Sequence, residues 1–210
     1  MAIVINGSGT VTGLSVGGLP DGTVDSDTLA NNAVVTGKIA DGTIANADIN
    51  SSAAIDTSKL AGDNTPSFKV LATDGTGIAH NTWTKVTFGT EVWDTDNAFA
   101  SNKFTVPSGK GGKYQFHFRV KMSGIDDNEY IRVNLYRNGS KVEASGNEWH
   151  SPGSDIQVPN FGTYTMSLNA GDYVEVYCYH NEGGTRTMFG GTNEYSDDAS
   201  YFQAIRLIGV

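Results

Sequence analysis

The residues that could carry chemistry in this chain of 210 residues are scattered rather than grouped. The four histidines are His80, His117, His150 and His180, and their spacings fit neither a metal site nor a histidine–carboxylate motif. Cys178 is the only cysteine, which excludes an internal disulfide and any site that needs two thiolates. The sequence therefore predicts a protein that is not an enzyme and that uses no cofactor and no metal.

Two groups of carboxylates are the remaining candidates for acid–base chemistry or calcium binding. One is Asp94 with Asp96, and the other is the acidic run at 126–129. Paired carboxylates can hydrolyse glycosides, and loop oxygens can coordinate Ca²⁺. Acids in loops are more often solvated turn residues, and the glycine-rich stretch 109–112 lacks the rest of a phosphate-binding loop. A polysaccharide depolymerase is therefore only a minor alternative.

Aromatic and basic side chains in polar stretches are better candidates for binding. Trp149 and His150 are predicted in a long polar loop at 146–153, where an aromatic side chain can anchor a glycan or a protein. Arg186 ends a second such stretch, 181–186. We predict that these three residues contact a receptor.

The charge balance and the hydropathy pattern exclude two classes of partner. The chain has 23 acidic and 14 basic residues, so its net charge is -9 and no basic surface is available for a phosphate backbone. No run of 18 apolar residues occurs, and the first residues do not resemble a signal peptide. We expect a soluble chain that binds no nucleic acid and inserts into no membrane.

The composition changes abruptly along the chain. All tryptophan, tyrosine, phenylalanine and histidine residues lie at or after Phe68, whereas the preceding region consists mainly of small and polar residues. Such small side chains bury too little apolar area to offset the entropy of ordering a compact globule. The sequence predicts four segments: an initial segment at 1–19, a repetitive region at 20–60, a linker at 61–67 and an aromatic domain at 68–210.

Aliphatic residues recur every five positions in the first part of the chain, and we call these the pentad positions. They are Leu14, Leu19, Val24, Leu29, Val34, Ile39, Ile44 and Ile49. A period of five fits neither an amphipathic helix nor a coiled coil. It fits a square β-coil of twenty residues per turn or a thin β shaft in which three chains intertwine. We favour the intertwined shaft; a flexible linker is a further alternative.

The aromatic domain alternates with period two instead. Polar and apolar residues alternate without a fault over 113–121, and similar short stretches are bounded by Gly, Pro, Asn or Asp. The stretch 130–136 is followed by Asn138-Gly139, a hairpin-turn pair. Eight or so short strands without a convincing helix predict an antiparallel β-sandwich.

The strand predicted at 173–179 has two faces that are both expected to be buried. Val174, Val176 and Cys178 form one face, and tyrosines on either side of Glu175 form the other. An aromatic second face predicts contact with another subunit, with half-exposed tyrosines on a monomer as the alternative. The residues predicted in this subunit interface are Tyr173, Tyr177, Tyr179, Tyr114 and Phe116.

Five motifs in this order resemble the globular head of complement component 1q and the related tumour necrosis factor family. They are Ala98-Phe99 before Phe104-Thr105-Val106-Pro107, then Gly112-Lys113-Tyr114-Gln115-Phe116, then Leu135-Tyr136-Arg137-Asn138-Gly139, then Leu168-Asn169-Ala170-Gly171-Asp172-Tyr173-Val174-Glu175-Val176, and finally Tyr201-Phe202-Gln203-Ala204-Ile205. The resemblance implies a ten-stranded jelly roll that forms a tight homotrimer about an aromatic-lined axis. The collagen stalk of the animal proteins is not present, because glycine does not recur at every third position.

The repetitive region resembles a different group of proteins. Asp21-Gly22-Thr23-Val24 and Asp41-Gly42-Thr43-Ile44 look like the pentads of tailed-bacteriophage fibre and appendage proteins. Residues 1–10 are similar to the start of small phage structural proteins that bear such a head. The resemblance implies a trimeric tail fibre on the virion exterior, joined to other virion proteins through 1–19, whose jelly-roll knob binds a host-surface glycan or protein. A capsid decoration or head-fibre protein and a cellular carbohydrate- or protein-binding module are the alternatives.

Overall fold

The computed structural model describes residues 4–5, 11–12, 24, 29–40, 42–50, 52–53, 64–193 and 198–207. The chain divides into two compact units, Met1–Ile55 and Asp56–Val210. No helix among the described residues is long and apolar enough to cross a membrane. The predicted roles of 1–19, 20–60 and 61–67 stay predictions. Residues 61–63 and most of 1–19, including the pentad positions Leu14 and Leu19, lie outside the described residues.

The first unit combines a short hairpin with a series of regularly spaced turns. Strands β1 (Val4–Ile5) and β2 (Val11–Thr12) pair antiparallel, and short 3₁₀ helices span Thr36–Lys38 and Asn46–Asp48. Backbone N–H groups donate to the carbonyl three residues earlier at intervals of five residues, over 2.7–3.1 Å. The donor and acceptor pairs are Ala33 and Ala30, Lys38 and Val35, Thr43 and Ala40, Asp48 and Ala45, and Ala53 and Asn50.

The turn period therefore equals the pentad period of the sequence. The described part of 29–53 contains these turns and no strand, whereas the sequence predicted a β shaft there. Each pentad from 29 to 53 contains at least one Gly, Asn or Asp, and these residues favour turns over extended backbone, which accounts for the difference.

The second unit consists of strands in two main sheets and one separate two-stranded pair. The strands are β3 (Ser67–Ala72), β4 (Gly77–Ile78), β5 (Thr84–Lys85), β6 (Phe88–Asp94), β7 (Phe99–Ala100), β8 (Lys103–Thr105), β9 (Gly112–Ile125), β10 (Tyr130–Arg137), β11 (Ser140–Lys141), β12 (Asn147–His150), β13 (Ile156–Leu168), β14 (Tyr173–His180), β15 (Arg186–Thr187) and β16 (Tyr201–Leu207). A 3₁₀ turn at Glu143–Ser145 separates β11 from β12.

The two main sheets are antiparallel and pack face to face. The five-stranded sheet has the order β13-β9-β16-β3-β6. The seven-stranded sheet has the order β11-β10-β14-β8-β7, with β12 added beside β10 and β5 beside β14. A separate pair joins β15 to β4. This arrangement leaves each main sheet with one face on the core and one face outward.

The core lies between the sheets and is rich in aromatic rings. Phe116 and Phe202 stack with centroids 5.8 Å apart, and Phe68 stacks on Phe104 at 4.9 Å. On the facing sheet, Val174, Val176 and Cys178 are buried as the alternation predicted. Burial raises the pKa of the Cys178 thiol to about 12, so this cysteine is an unreactive core residue.

Two of the residues predicted in a subunit interface belong to this core. Tyr114 and Phe116 are 0% exposed within one chain, so they present no surface to a second copy and the prediction for them is wrong. They occupy the inward-facing positions of β9, which pack against the opposite sheet. The Tyr114 hydroxyl donates to the Lys110 carbonyl over 2.5 Å, and burial raises its pKa to about 12.

A glycine makes room for one of the core rings. Gly162 on β13 lies directly opposite Phe118 on β9. A Cβ atom at residue 162 would lie 2.4 Å from the Phe118 Cζ atom, which is 0% exposed. Glycine at this position lets the phenylalanine ring lie flat against the neighbouring strand.

Candidate functional site

The outward face of the seven-stranded sheet carries a cluster of aromatic side chains, which we call the aromatic face. Alternation points Tyr130 and Tyr136 of β10 and Tyr177 and Tyr179 of β14 away from the core, and Trp83 reaches the same face from just before β5. Tyr136 and Tyr177 stack at 3.9 Å, while Trp83 lies 5.5 Å from Tyr179 and 6.2 Å from Tyr136. Tyr130 lies 6.1 Å from Tyr179, so the rings form one connected cluster.

Cations of the same chain lie over two of these rings and over a further tyrosine on β14. The Arg132 guanidinium lies 4.7 Å from the Tyr130 ring, and the Lys141 ammonium lies 4.9 Å from the Trp83 ring. The Lys103 ammonium lies 4.6 Å from the ring of Tyr173, farther along β14. At these distances each cation is attracted to the negative face of its ring.

The aromatic second face of β14 is thus partly covered within a single chain. Glu175, in the middle of this face, is only 7% exposed and pairs with the Lys85 ammonium over 2.6 Å. The prediction that Tyr173, Tyr177 and Tyr179 contact another subunit stays a prediction. Contacts within one chain are sufficient to explain why these tyrosines are half-buried.

Next to the aromatic face lies a cavity of about 190 Å³, which we call the polar cavity. Two cations, two carboxylates, two carboxamides and a glycine line it. These residues are Arg132, Asn134, Lys141, Glu143, Gly146, Asn147 and Glu148. Because Arg132 and Lys141 also contact aromatic rings, the cavity and the aromatic face form a continuous surface.

Ion pairs fix the walls of the polar cavity. The Arg132 guanidinium donates to the Glu148 carboxylate across the β10–β12 ladder, and Lys141 lies 2.9 Å from Glu143. His150 Nε2 lies 2.8 Å from the other Glu148 oxygen. Hydrogen bonds from His150 and then from Arg132 lower the pKa of Glu148, so its carboxylate is charged at neutral pH.

The floor of the polar cavity is a buried carboxamide. Asn134 is 3% exposed, and its Nδ2 donates to the Val142 carbonyl over 3.2 Å. A Cβ atom at residue 146 would lie 2.5 Å from this Nδ2 and 2.8 Å from Oδ1. Gly146 has φ -73° and ψ 144°, which any residue can adopt, so the close approach to Asn134 is what requires glycine here.

The structure gives different environments to Trp149 and His150, the two neighbouring residues predicted as receptor contacts. Trp149 lies on β12 rather than in a loop, opposite Ile131 of β10, and its side chain packs against the core. The prediction that Trp149 lies in a loop is wrong, because 147–150 form strand β12, which pairs with β10. His150 points outward with its side chain 58% exposed, beside the polar cavity and 5.2 Å from the Tyr130 ring.

Arg186, the third predicted receptor contact, belongs to an internal ionic cluster. Its guanidinium donates to the Glu182 carboxylate over 2.7 Å, and Glu182 is only 6% exposed. Glu182 also accepts a hydrogen bond from the backbone of Asp126 over 2.8 Å, and these contacts lower its pKa. Glu182 therefore joins two loops, and Arg186, with its side chain 31% exposed, pairs with that carboxylate.

His180 is a buried neutral group at the end of β14. It is 0% exposed, and its Nε2 lies 2.8 Å from the Ile78 carbonyl, so this nitrogen carries the proton and donates. Its Nδ1 is buried without a hydrogen-bond partner. Burial lowers the pKa of His180 below its usual value.

The carboxylates considered for catalysis or calcium binding act as turn residues. Asp94 accepts a hydrogen bond from the backbone of Phe99 over 2.7 Å, and Asp126 accepts one from Asp155 over 2.8 Å. Within the part of the chain that the structure describes, no group of three or more His, Cys, Asp or Glu side chains is placed to hold a metal ion.

The outward face of the five-stranded sheet is the more apolar surface. Phe161 on the edge strand β13 is 62% exposed, and Trp93 on the opposite edge strand β6 is 40% exposed. A groove of about 370 Å³ runs between Trp93, His117 and Ile205 on this face. Across residues 64–193 and 198–207, Trp93 and Phe161 are the two large apolar side chains that remain exposed.

Comparison with known proteins identifies the fold. No protein-family model matches the chain. The globular domain of zebrafish complement 1qA is similar to it with a TM-score of 0.51 and 16% identity, over 68% of this chain and 98% of that one. Murine APRIL at pH 5.0 gives a TM-score of 0.48 and 13% identity, over 67% and 98% of the two chains. The all-β antiparallel sheets and the similarity to the complement 1qA domain confirm the predicted jelly-roll sandwich of the complement 1q type.

One curated protein is also similar in sequence. The uncharacterized protein YqcC of Bacillus subtilis strain 168 is 24% identical over 131 residues, or 60% of this chain. The match spans 35% of the length of YqcC.

Proposed function

We propose that this protein is a homotrimeric structural protein of a bacteriophage particle whose jelly-roll knob, residues 68–210, binds the host cell surface. Residues 1–19 attach the trimer to other virion proteins, and the knob lies on the virion exterior. The complement 1q-like fold and the phage-like pentads, joined in one chain, support this proposal. Either location on the particle, tail fibre or head fibre, is consistent with the pentads.

The main observation in support of a trimer is the pair of exposed aromatic residues on the five-stranded sheet. Trp93 and Phe161 lie on the two opposite edge strands of that sheet. Contact between the Trp93 edge of one copy and the Phe161 edge of the next joins two different surfaces. Such a heterologous contact produces a closed ring rather than a two-fold dimer when its rotation closes.

The pentad positions support assembly independently. Pentad residues from Val24 to Ile49 are 40–56% exposed in a single chain, an unusual row of uncovered aliphatic side chains. The turns between them repeat with the same period. A shaft in which three chains each supply one aliphatic residue per layer would bury this row, whereas a single-chain square coil would already have buried it.

Native mass measured by light scattering tests the assembly. We expect the full chain to have the mass of three 22.3 kDa copies. A Phe161→Asp substitution should lower that mass, because a carboxylate would replace an interface ring, while Tyr179→Asp on the other sheet should leave it unchanged. A monomeric full chain contradicts the proposal; dissociation by Tyr179→Asp alone places the interface on the aromatic face instead.

Labelled-antibody electron microscopy of phage particles tests the location. Antibody on tails supports a tail fibre, and antibody on tail-free capsids supports a head fibre or decoration protein. Absence of the protein from purified particles contradicts the virion role and favours a cellular binding module.

A further inference from the structure

We infer that the polar cavity, together with the adjoining aromatic face, is a binding site for one ring of an uncharged glycan. This inference rests on the proposed role of the jelly roll as a binding knob and names the class of ligand.

The lining of the cavity matches the hydroxyl groups of a sugar. Each hydroxyl is one donor and an acceptor, and the cavity offers both kinds of partner. Arg132 and Lys141 donate, Glu143 and Glu148 accept, and the Asn147 side chain, which donates to the Phe161 carbonyl over 2.8 Å, keeps acceptor capacity. Hydrogen bonds to charged groups are stronger than those between neutral groups, so adjacent hydroxyls are held firmly.

The aromatic face provides the second element of sugar recognition. A pyranose ring presents C–H groups on one side, and these pack on the face of an aromatic ring. Trp83 and Tyr130 are linked to the cavity wall through Lys141 and Arg132, at 4.9 and 4.7 Å. A glycan that enters the cavity therefore has these two rings beside it, each with a cation over one face.

The charge balance favours an uncharged ligand over an anionic one. The two cations of the lining are each paired with a carboxylate, Arg132 with Glu148 and Lys141 with Glu143. A phosphate, sulfate or uronate would meet the two carboxylates, and like charges brought together without water repel. A hydroxyl-bearing ligand satisfies both members of each pair.

The size and polarity of the cavity disfavour a protein partner. Its volume of about 190 Å³ is small compared with a protein interface. Protein interfaces have an apolar centre that is depleted in charge, whereas four of the seven lining residues here are charged.

An array of immobilised oligosaccharides, uncharged and bearing uronate, sialate or sulfate, tests the inference with the full-length protein. We expect binding to uncharged saccharides. Gly146→Ala should weaken that binding by about ten-fold or more, because its methyl group pushes the Asn134 carboxamide into the cavity. Gly153→Ala is the matched control, since a Cβ atom there meets nothing within 4 Å.

A second variant covers the case in which Gly146→Ala does not fold. Glu148→Gln keeps the shape of the side chain and removes an acceptor charge, so it should also weaken binding. Binding to anionic glycans alone, binding that neither variant weakens, or no binding to any uncharged glycan would overturn the inference.

The outcomes distinguish this inference from the proposed function. A trimer that binds no uncharged glycan retains the proposed assembly and refutes the site. A monomer whose binding Gly146→Ala abolishes supports the site and refutes the trimer.

Discussion

Two adjacent valines in the first unit offer a direct test of the shaft. Val34 is a pentad residue and Val35 is not, yet both are 54% exposed in one chain. Each is replaced by aspartate in the full-length protein. If three chains pack through the pentad positions, only Val34→Asp places a carboxylate in a buried layer.

The size of the effect follows from the exposed fraction. Complete burial of a valine side chain contributes about 1.5–3 kcal/mol, so covering the exposed half of Val34 contributes about 1 kcal/mol per chain. One layer holds three copies, so the loss is about 3 kcal/mol per trimer before the cost of burying carboxylates is added. Val35→Asp should change the stability of the shaft by no more than about 0.5 kcal/mol, as for other surface substitutions.

Hydrogen exchange measures this difference residue by residue. The N–H groups of Lys38, Thr43 and Asp48 donate within the repeated turns, so they report on opening of the shaft. A loss of about 3 kcal/mol corresponds to roughly 100-fold faster exchange at these groups in Val34→Asp. Equal rates in the two variants would refute packing through the pentad positions.

Three further outcomes follow from the second unit. Gly162→Ala should lower the free energy of unfolding in urea by about 1–3 kcal/mol, because the added Cβ atom would lie 2.4 Å from a buried Phe118 atom. Adding Phe118→Leu to this variant should restore part of the lost stability, and Gly153→Ala should leave stability unchanged. His180 is buried neutral with a lowered pKa, so its contribution to stability is complete above about pH 6.5 and decreases as the pH falls below that value. Denaturation at pH 7 and pH 5 should show this loss, and His180→Gln should reduce it; an unchanged pH dependence would contradict the assignment. Cys178, with its pKa raised to about 12, should react with an aromatic disulfide reagent at pH 8 only after unfolding, and rapid labelling of the native protein would contradict its burial.

Local periodicity was sufficient to predict strands and their two faces. The alternation over 113–121 corresponds to the central part of β9, and the apolar face of 173–179 corresponds to the inward face of β14. Periodicity does not tell which surface covers a face, because that depends on contacts between distant segments. Tyr114 was therefore assigned to another subunit, although the opposite sheet of its own chain covers it.

The candidate site was harder to predict because its parts come from distant segments. Trp83 reaches Tyr136 and Tyr179 across the sheet, a contact with no local signature. The polar positions of β10 and the Asn138-Gly139 turn were sufficient to predict part of the site. Alternation places Arg132 and Asn134 on one face, and the turn returns Lys141 beside Tyr136. His150 was predicted as a receptor contact, and it lies beside this site, but the receptor role stays a prediction.

The position of β3 in its sheet determines how the jelly roll resists mechanical tension. The chain enters the sandwich at Ser67, and β3 is an interior strand with β16 on one side and β6 on the other. Five residue pairs join it to each neighbour. A pull from the amino-terminal side must therefore break two ladders together, whereas an edge strand would peel away one pair at a time. Forced unfolding is governed by the rate of unfolding, and this placement keeps that rate low under tension.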